Sequence, residues 1–406
     1  MPPDTADANA SRKPADTAQP VDANTDDEQA AEAQPAAGLR SPVDYLGDLC
    51  GRHQIVLLGD QIGVRQHVLL LADALAELAD NGVANFAWEF TNSRRQAELD
   101  ALIDAPDWDD RACADLFVDL LGVGFGYQEY ADVLHAVWQH NDAERRREAD
   151  RRPIRVVALG LPTYVEDPDL LDGRSAAELE LRNWSLGGHY RDISAVHAAG
   201  VLTSEVLRKG ERALVYMNIA ATTTRLVEWA DGVPTASAGN LLWRWMGDGC
   251  RRVVFHGAVA DTAATQRAEE LISHSPEGRA GAELRFGLDL AASTLGSVAM
   301  TEVRGSLDGT DASLRLRDVA DGYLYLGPRA DWSPCALIPQ LITPENFPSA
   351  EARYRALDPR PTPYTHDELE EVRRTGQLEL SAAWPSLPAP PEAPKRRFAR
   401  FRGHRN

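Results

Sequence analysis

The sequence predicts an α/β fold: a mainly parallel central sheet with helices on both faces and disordered termini. Short apolar runs recur at Ile55–Leu58, Asn85–Glu89, Ile154–Leu159, Ala213–Met217 and Arg252–His256. Helix-period segments separate most of them, at Val68–Ala79, Ser93–Ile103, Cys113–Leu120, Tyr127–Gln139 and Ile193–Arg208. Brief apolar strands alternating with amphipathic helices are the pattern of a parallel sheet buried on both faces. The first two strands also finish near carboxylates, Asp60 after Gly59 and Glu89 after Trp88. In such folds the carboxyl edge of the sheet is where ligands bind.

Residues 1–40 are Ala-, Asp-, Pro-, Thr- and Gln-rich and contain no aromatic residue. They cannot bury enough apolar surface to offset the entropy of ordering, and are expected to be disordered. Folding is expected to begin at Pro42-Val43-Asp44-Tyr45-Leu46, a short helix that Ser41 is placed to cap. Gly122-Val123-Gly124-Phe125-Gly126 follows a helical segment rather than a strand, so it reads as a bend and not as a dinucleotide loop. Beyond about residue 260 the alternation weakens, although Ala320 to Pro328 reads as a turn and a late strand, suited to the sheet edge. Pro359–Pro363 and Pro385–Pro394 mark a fading fold and a linker. The reading is thus a tail over 1–40, one α/β domain over 41–358, and a Pro-rich segment with a basic tail over 359–406.

Charge narrows the partners. With 62 acidic and 42 basic residues the net charge is −20, a field that disfavours nucleic acid and anionic lipid. The exception is the basic tail at 395–406, where Lys395–Arg405 has no acid; it reads either as a tail able to bind RNA or a membrane surface, or as a disordered one folding back on the acidic body. No apolar run reaches a membrane span, and no signal-peptide pattern follows Arg12 and Lys13, so a cytoplasmic protein is expected. Cys50, Cys113, Cys250 and Cys335 are scattered, which suggests buried thiols rather than a zinc ribbon or disulfide framework. The chain has no P-loop, no G-x-S-x-G elbow and no H-E-x-x-H motif.

Asp60 and Glu89 are candidate paired carboxylates, with helix capping as the alternative use of acids at strand ends. His67 is a candidate proton carrier or an ordinary residue of a first helical turn; His189, after Gly187-Gly188, is the other candidate. Arg191, Thr222 and Arg225 are candidate ligand-binding residues. Arg191 with Asp192 also fits an ion pair at a helix start, and Thr222–Thr224 also fits a cap. Trp243 and Trp245 suit packing or stacking on a flat ligand.

The order of an apolar strand, Gly59-Asp60-Gln61-Ile62-Gly63, a helix near His67 and a strand ending in Glu89 resembles the haem-uptake/Tiki superfamily. That group includes ChaN-like haem-binding proteins, Tiki-type metal-dependent proteases and erythromycin-esterase-like hydrolases. Tyr127-Gln128-Glu129-Tyr130, the strand Ile154–Leu159, Tyr190-Arg191-Asp192-Ile193 and the strand Ala213–Met217 continue the likeness. It covers roughly Pro42 to Arg225. The group's first turn reads Gly-Glu-x-His, where this chain has Asp60 and Ile62. Its later Gly-x-x-His or His-His motif is replaced by Asn218-Ile219-Ala220-Ala221. The resemblance therefore implies a ligand-binding or weakly active protein with a degraded site. Haem is a cofactor by resemblance only, and a resident divalent metal is not expected. The alternatives are an ester or peptide hydrolase using Asp60, Glu89 and His67 or His189, and an interaction scaffold built on the two tails.

Overall fold

A computed structural model describes residues 39–118, 126–147, 152–161, 189–225, 227–228, 234–258, 262–275, 284–300, 304–305, 314–357 and 361–382. Its frame is a seven-stranded sheet. In chain order the strands are β1 (Ile55–Asp60), β2 (Asn85–Asn92), β3 (Arg155–Gly160), β4 (Ala213–Asn218), β5 (Cys250–Phe255), β6 (Phe286–Asp289) and β7 (Gly322–Tyr325). Their order across the sheet is β3-β2-β4-β1-β5-β7-β6. Every pair is parallel except β7 with β6. The chain is therefore α/β with a mainly parallel sheet. The residues 1–38 and 383–406, including both tails, lie outside the described residues.

Period-two alternation divides the sheet between two cores. Val56, Leu58, Phe86, Trp88, Leu214, Tyr216 and Val253 face one side. There they meet α1 (Pro42–Arg52), α2 (Arg65–Asp80) and α5 (Gln128–Arg145), through residues such as Leu46, Leu71, Leu75 and Val133. Between α2 and α5 in sequence lie α3 (Gln96–Asp104) and α4 (Asp110–Val118). Ile55, Leu57, Ala87, Val157, Ala213 and Val215 face the other side. They pack on α6 (His189–Glu205) and α7 (Ala238–Met246) through Ala198, Leu202, Ala238 and Leu242. Helices on both faces follow directly from strands that are apolar on both faces.

Local signals set several boundaries. Ser41 Oγ accepts the Asp44 N–H at 3.1 Å, and Pro42 opens α1, which runs on to Arg52 rather than stopping near Leu46. α2 begins at Arg65, three residues before its apolar stripe, so His67 falls in its first turn. The late strand β7 is internal: the antiparallel β6 takes the edge beside it. Four residues without strong periodicity are too short a signal to read from sequence. A helix, His366–Ala382, occupies the segment read as a fading fold. Its start is a capping box, with Thr365 N–H donating to Glu368 Oε2 at 2.8 Å and Glu368 N–H to Thr365 Oγ1 at 3.3 Å. Leu369 and Arg373 bury its inner face. Among the described residues no helix is long and apolar enough to cross a membrane, and all four cysteines are free and buried.

Tyr45 fastens α1 across the far side of the sheet. A Cβ on Gly287 would stand 2.5 Å from Tyr45 Cβ, and one on Gly322 would stand 2.1 Å from its hydroxyl. That hydroxyl donates to Asp289 Oδ1 at 2.9 Å, so the ring has no freedom to retreat. Gly322→Ala should therefore destabilise the fold by about 1–3 kcal/mol through overpacking. Urea denaturation checks this, with Tyr45→Phe as a milder control that loses one hydrogen bond, about 1 kcal/mol.

Candidate functional site

Parallel pairing places the ends of β1, β2 and β4 side by side. Asp60 closes β1 and lies in register with Asn218, which closes β4. Asp60 is 1% exposed, and its Oδ1 lies 2.8 Å from His67 Nδ1. The strand end and the first turn of α2 are thus joined by a buried carboxylate–imidazole contact. The His67 ring stacks on Phe255, with centroids 4.0 Å apart and planes 7° apart, and meets the Trp332 ring edge-on at 5.1 Å.

Glu89 stands on β2, one strand beyond β4. Its Oε1 accepts the Asn218 backbone N–H, and its Oε2 accepts Asn218 Nδ2 at 2.8 Å. Among the described residues it forms no ion pair. Desolvation lifts its carboxyl from 4.5 to about 7; the Asn218 donors pull it down, and the charge of Asp60 pushes it further up. Part of the side chain still reaches solvent, which trims the elevation. A near-neutral carboxyl without a cation at the carboxyl edge of a parallel sheet is a group able to give or take a proton.

Around Asp60 the walls are aromatic. Tyr130 and Tyr216 flank Phe90, with centroids 4.5 and 5.8 Å from it, and Trp88 lies behind. Burial, followed by the charge of Asp60, holds both phenols far above their ordinary range, so they remain protonated donors. The Tyr216 hydroxyl faces Asp60 and the Tyr130 hydroxyl faces the Gly63 backbone, although neither contact nor any at Asp60 Oδ2 has ordinary hydrogen-bond geometry. Sequence reading missed Tyr130, Tyr216 and Asn218 as site residues. Tyr216 looked like any apolar strand residue, and only the pairing of β4 between β1 and β2 brings it to Asp60.

The structure thus brings Asp60, Glu89 and His67 together. Thr222 is elsewhere engaged: it is fully buried, donates to Ile219 O at 3.1 Å and accepts Arg252 Nε at 3.4 Å. The Thr223 hydroxyl donates to Ala220 O at 2.9 Å, and Thr224 O accepts Asn240 Nδ2 at 2.9 Å. This run shapes the turn after β4. Arg225 lies over the Trp243 ring, 4.8 Å from its centroid, and donates through Nε to Asp318 O at 3.3 Å. Trp245 is exposed. His189 and Arg191 lie in the first turn of α6, and their side chains are outside the described ones.

Among the described residues no cluster of three or more His, Cys, Asp or Glu side chains could hold a metal ion. Ile62 packs against the apolar core at the position where the resemblance would put a histidine. His67 and His256 are each about 1% exposed, enclosed by aromatic rings and engaged through Nδ1, so neither is presented as an axial ligand.

No protein-family model and no curated protein matches the sequence. Solved structures are similar to it at low identity. A mutant of the erythromycin esterase EreC in its open conformation shares 13% identity over 69% of this chain and 92% of its own, with a TM-score of 0.48. A succinoglycan biosynthesis protein shares 14% over 72% of this chain and 91% of its own, with a TM-score of 0.44. ChaN of Campylobacter jejuni, solved with cofacial haem, shares 12% over 55% of this chain and 92% of its own, with a TM-score of 0.27.

Two outcomes follow from this geometry. His67→Phe keeps the ring stack but leaves Asp60 buried without its partner, and should cost about 3–5 kcal/mol; adding Asp60→Leu should return much of it. Urea titration of both single variants and the double variant measures the coupling, and simply additive losses would refute it. Glu89 gives a pH signature. Its folded pKa is raised, so the native state keeps a proton that the unfolded state has lost between pH 4.5 and about 7. This contribution to stability is complete below about 4.5 and vanishes as pH rises through about 7. Glu89→Gln should flatten that slope in urea midpoints taken at pH 5 and pH 8.

Proposed function

We propose that this chain binds a small organic molecule at the carboxyl edge of β1, β2 and β4, as a ChaN/Tiki/erythromycin-esterase-like protein whose histidine set has been replaced. Any chemistry it retains is metal-free proton transfer. The carrying observation is the pairing of commitments at the edge: Asp60 is bound to His67, and Glu89 is clamped by Asn218. The order of motifs along the sequence supports the grouping. Ile62, Ala220 and Ala221 in place of histidines support the loss of the metal-type site.

One observation favours a second reading, weak ester or peptide hydrolysis. With a carboxyl near 7, Glu89 is divided between its acid and base forms at neutral pH. It could take a proton from an attacking water and return it to the leaving group. In this reading the Asp60–His67 pair positions the pocket wall without touching the reacting atoms.

A single preparation separates these readings. Metal analysis and a visible spectrum of the isolated protein should show neither stoichiometric zinc or manganese nor a haem band. Hydrolysis of 4-nitrophenyl acetate should be slow or nil and unaffected by a chelator. Turnover that falls at least tenfold in Glu89→Gln would establish the hydrolase reading. Stoichiometric metal with chelator-sensitive hydrolysis would overturn both.

A further inference from the structure

A second polar cluster lies at the same carboxyl edge, where β5 and β7 end. His256 directly follows β5, and its Nδ1 lies 2.5 Å from the Tyr323 hydroxyl on β7. The phenol O–H donates to Nδ1, and on that assignment the neutral imidazole carries its proton on Nε2. Burial holds His256 below its ordinary pKa, which favours this neutral form, against the opposing pull of Glu269. Nε2 faces Glu269 Oε1 at 3.7 Å, a contact longer than an ordinary hydrogen bond.

Arg329 stands beside it, only 3% exposed. Its Nη2 approaches Glu269 Oε2 at 3.4 Å, while Nε and Nη1 make no hydrogen bond at all. The enclosure is tight. Gly257 has φ of 81°, and a Cβ there would fall 2.3 Å from the Trp332 ring and 3.0 Å from Arg329 Cδ. His256 Nε2 and the Nε and Nη1 of Arg329 are therefore buried donors without a well-formed hydrogen bond, while Glu269 accepts the Arg329 backbone N–H at 3.3 Å and Nη2 at 3.4 Å. Buried donors without acceptors are costly, and an acceptor-rich anion is the chemistry that matches them. Trp332 links this cluster to the Asp60–His67 pair, since its ring also meets His67.

We propose that Arg329 and His256 form a subsite for an oxyanion, the carboxylate or phosphate-type group of the bound molecule, with Glu269 as the internal counter-ion it displaces. Glu269 suits that part. The His256 Nε2–H that faces it, and then the guanidinium of Arg329, hold its carboxyl down at about 2, so it stays ionised. Its side chain is also 30% exposed, and so marks the side from which solvent reaches the cluster. The proposal deepens the ligand reading above by giving the ligand a charge, yet it rests on different residues.

Calorimetric titration of the full chain with inorganic phosphate, and separately with acetate, tests it. One saturable site is expected. Preference for phosphate assigns a phosphate-type group, and preference for acetate a carboxylate. Glu269→Gln removes the competing charge and should tighten binding about tenfold. Arg329→Gln should weaken it by about 10- to 100-fold, with the circular dichroism spectrum unchanged. Failure of the Glu89 reading shows in 4-nitrophenyl acetate hydrolysis and failure of this one in the anion titration, so the two are distinguishable. Absence of saturable binding, or equal affinity in wild type and Glu269→Gln, would overturn the proposal; the latter result decides even if Arg329→Gln does not fold.

Discussion

The hydrogen bond between Asp60 and His67 is the constraint around which the carboxyl edge is organised. It ties the end of the central strand β1 to the first turn of α2, in a place where both side chains are about 1% exposed. Burying two titratable groups is expensive, and a well-packed apolar pair of similar volume is often no less stable. Their position accounts for them better than stability does. With His67 fixed, its ring becomes the floor on which Phe255 stacks and against which Trp332 closes. With Asp60 fixed, its charge reaches Glu89, Tyr130 and Tyr216, and raises the proton affinity of all three.

The same edge carries two opposite chemistries. Around β1, β2 and β4 the loosely held capacity is mixed, with Asp60 Oδ2 as an acceptor and the phenols of Tyr130 and Tyr216 as donors. Around β5 and β7 it is donor-only, from His256 and Arg329. Parallel strands make this possible, because every strand end of one direction arrives at the same side. His67 and Trp332 form the partition between the halves. A molecule with a polar body and an anionic end would match both.

Much of the frame was legible in the sequence, because strands apolar on both faces and helices with one apolar stripe leave few alternatives to a covered parallel sheet. Asp60, Glu89 and His67 were legible for a related reason: Asp60 ends β1, His67 lies in the first turn of α2, and Glu89, although β2 runs on to Asn92, directly follows the last β2 residue paired with β4, so parallel pairing converts position into proximity. β6 was not legible, since four residues of edge strand carry almost no periodic signal, and the Thr365–Glu368 capping box was hidden by the prolines around it. Arg329 and Glu269 were invisible for a deeper reason. They lie sixty residues apart in sequence, on a turn and on a helix, and only the return of β7 beside β5 unites them. His256 ended a strand much as Asp60 does, and that was the one available signal.

The acidity of the chain gives the buried arginine a further meaning. A net charge of −20 repels anions at long range, so an oxyanion gains nothing from the protein's overall field as it approaches. Recognition must then come from short-range contacts in a desolvated enclosure, where salt screens little. The two effects pull apart as ionic strength rises. Screening weakens the long-range repulsion and speeds encounter, while the contacts at Arg329 and His256 keep their strength once formed. Within moderate salt, such a site binds its anion faster without releasing it sooner, the opposite of a surface patch of lysines. An enclosed guanidinium with its own displaceable carboxylate is therefore a physically consistent way for a strongly acidic protein to select an anion.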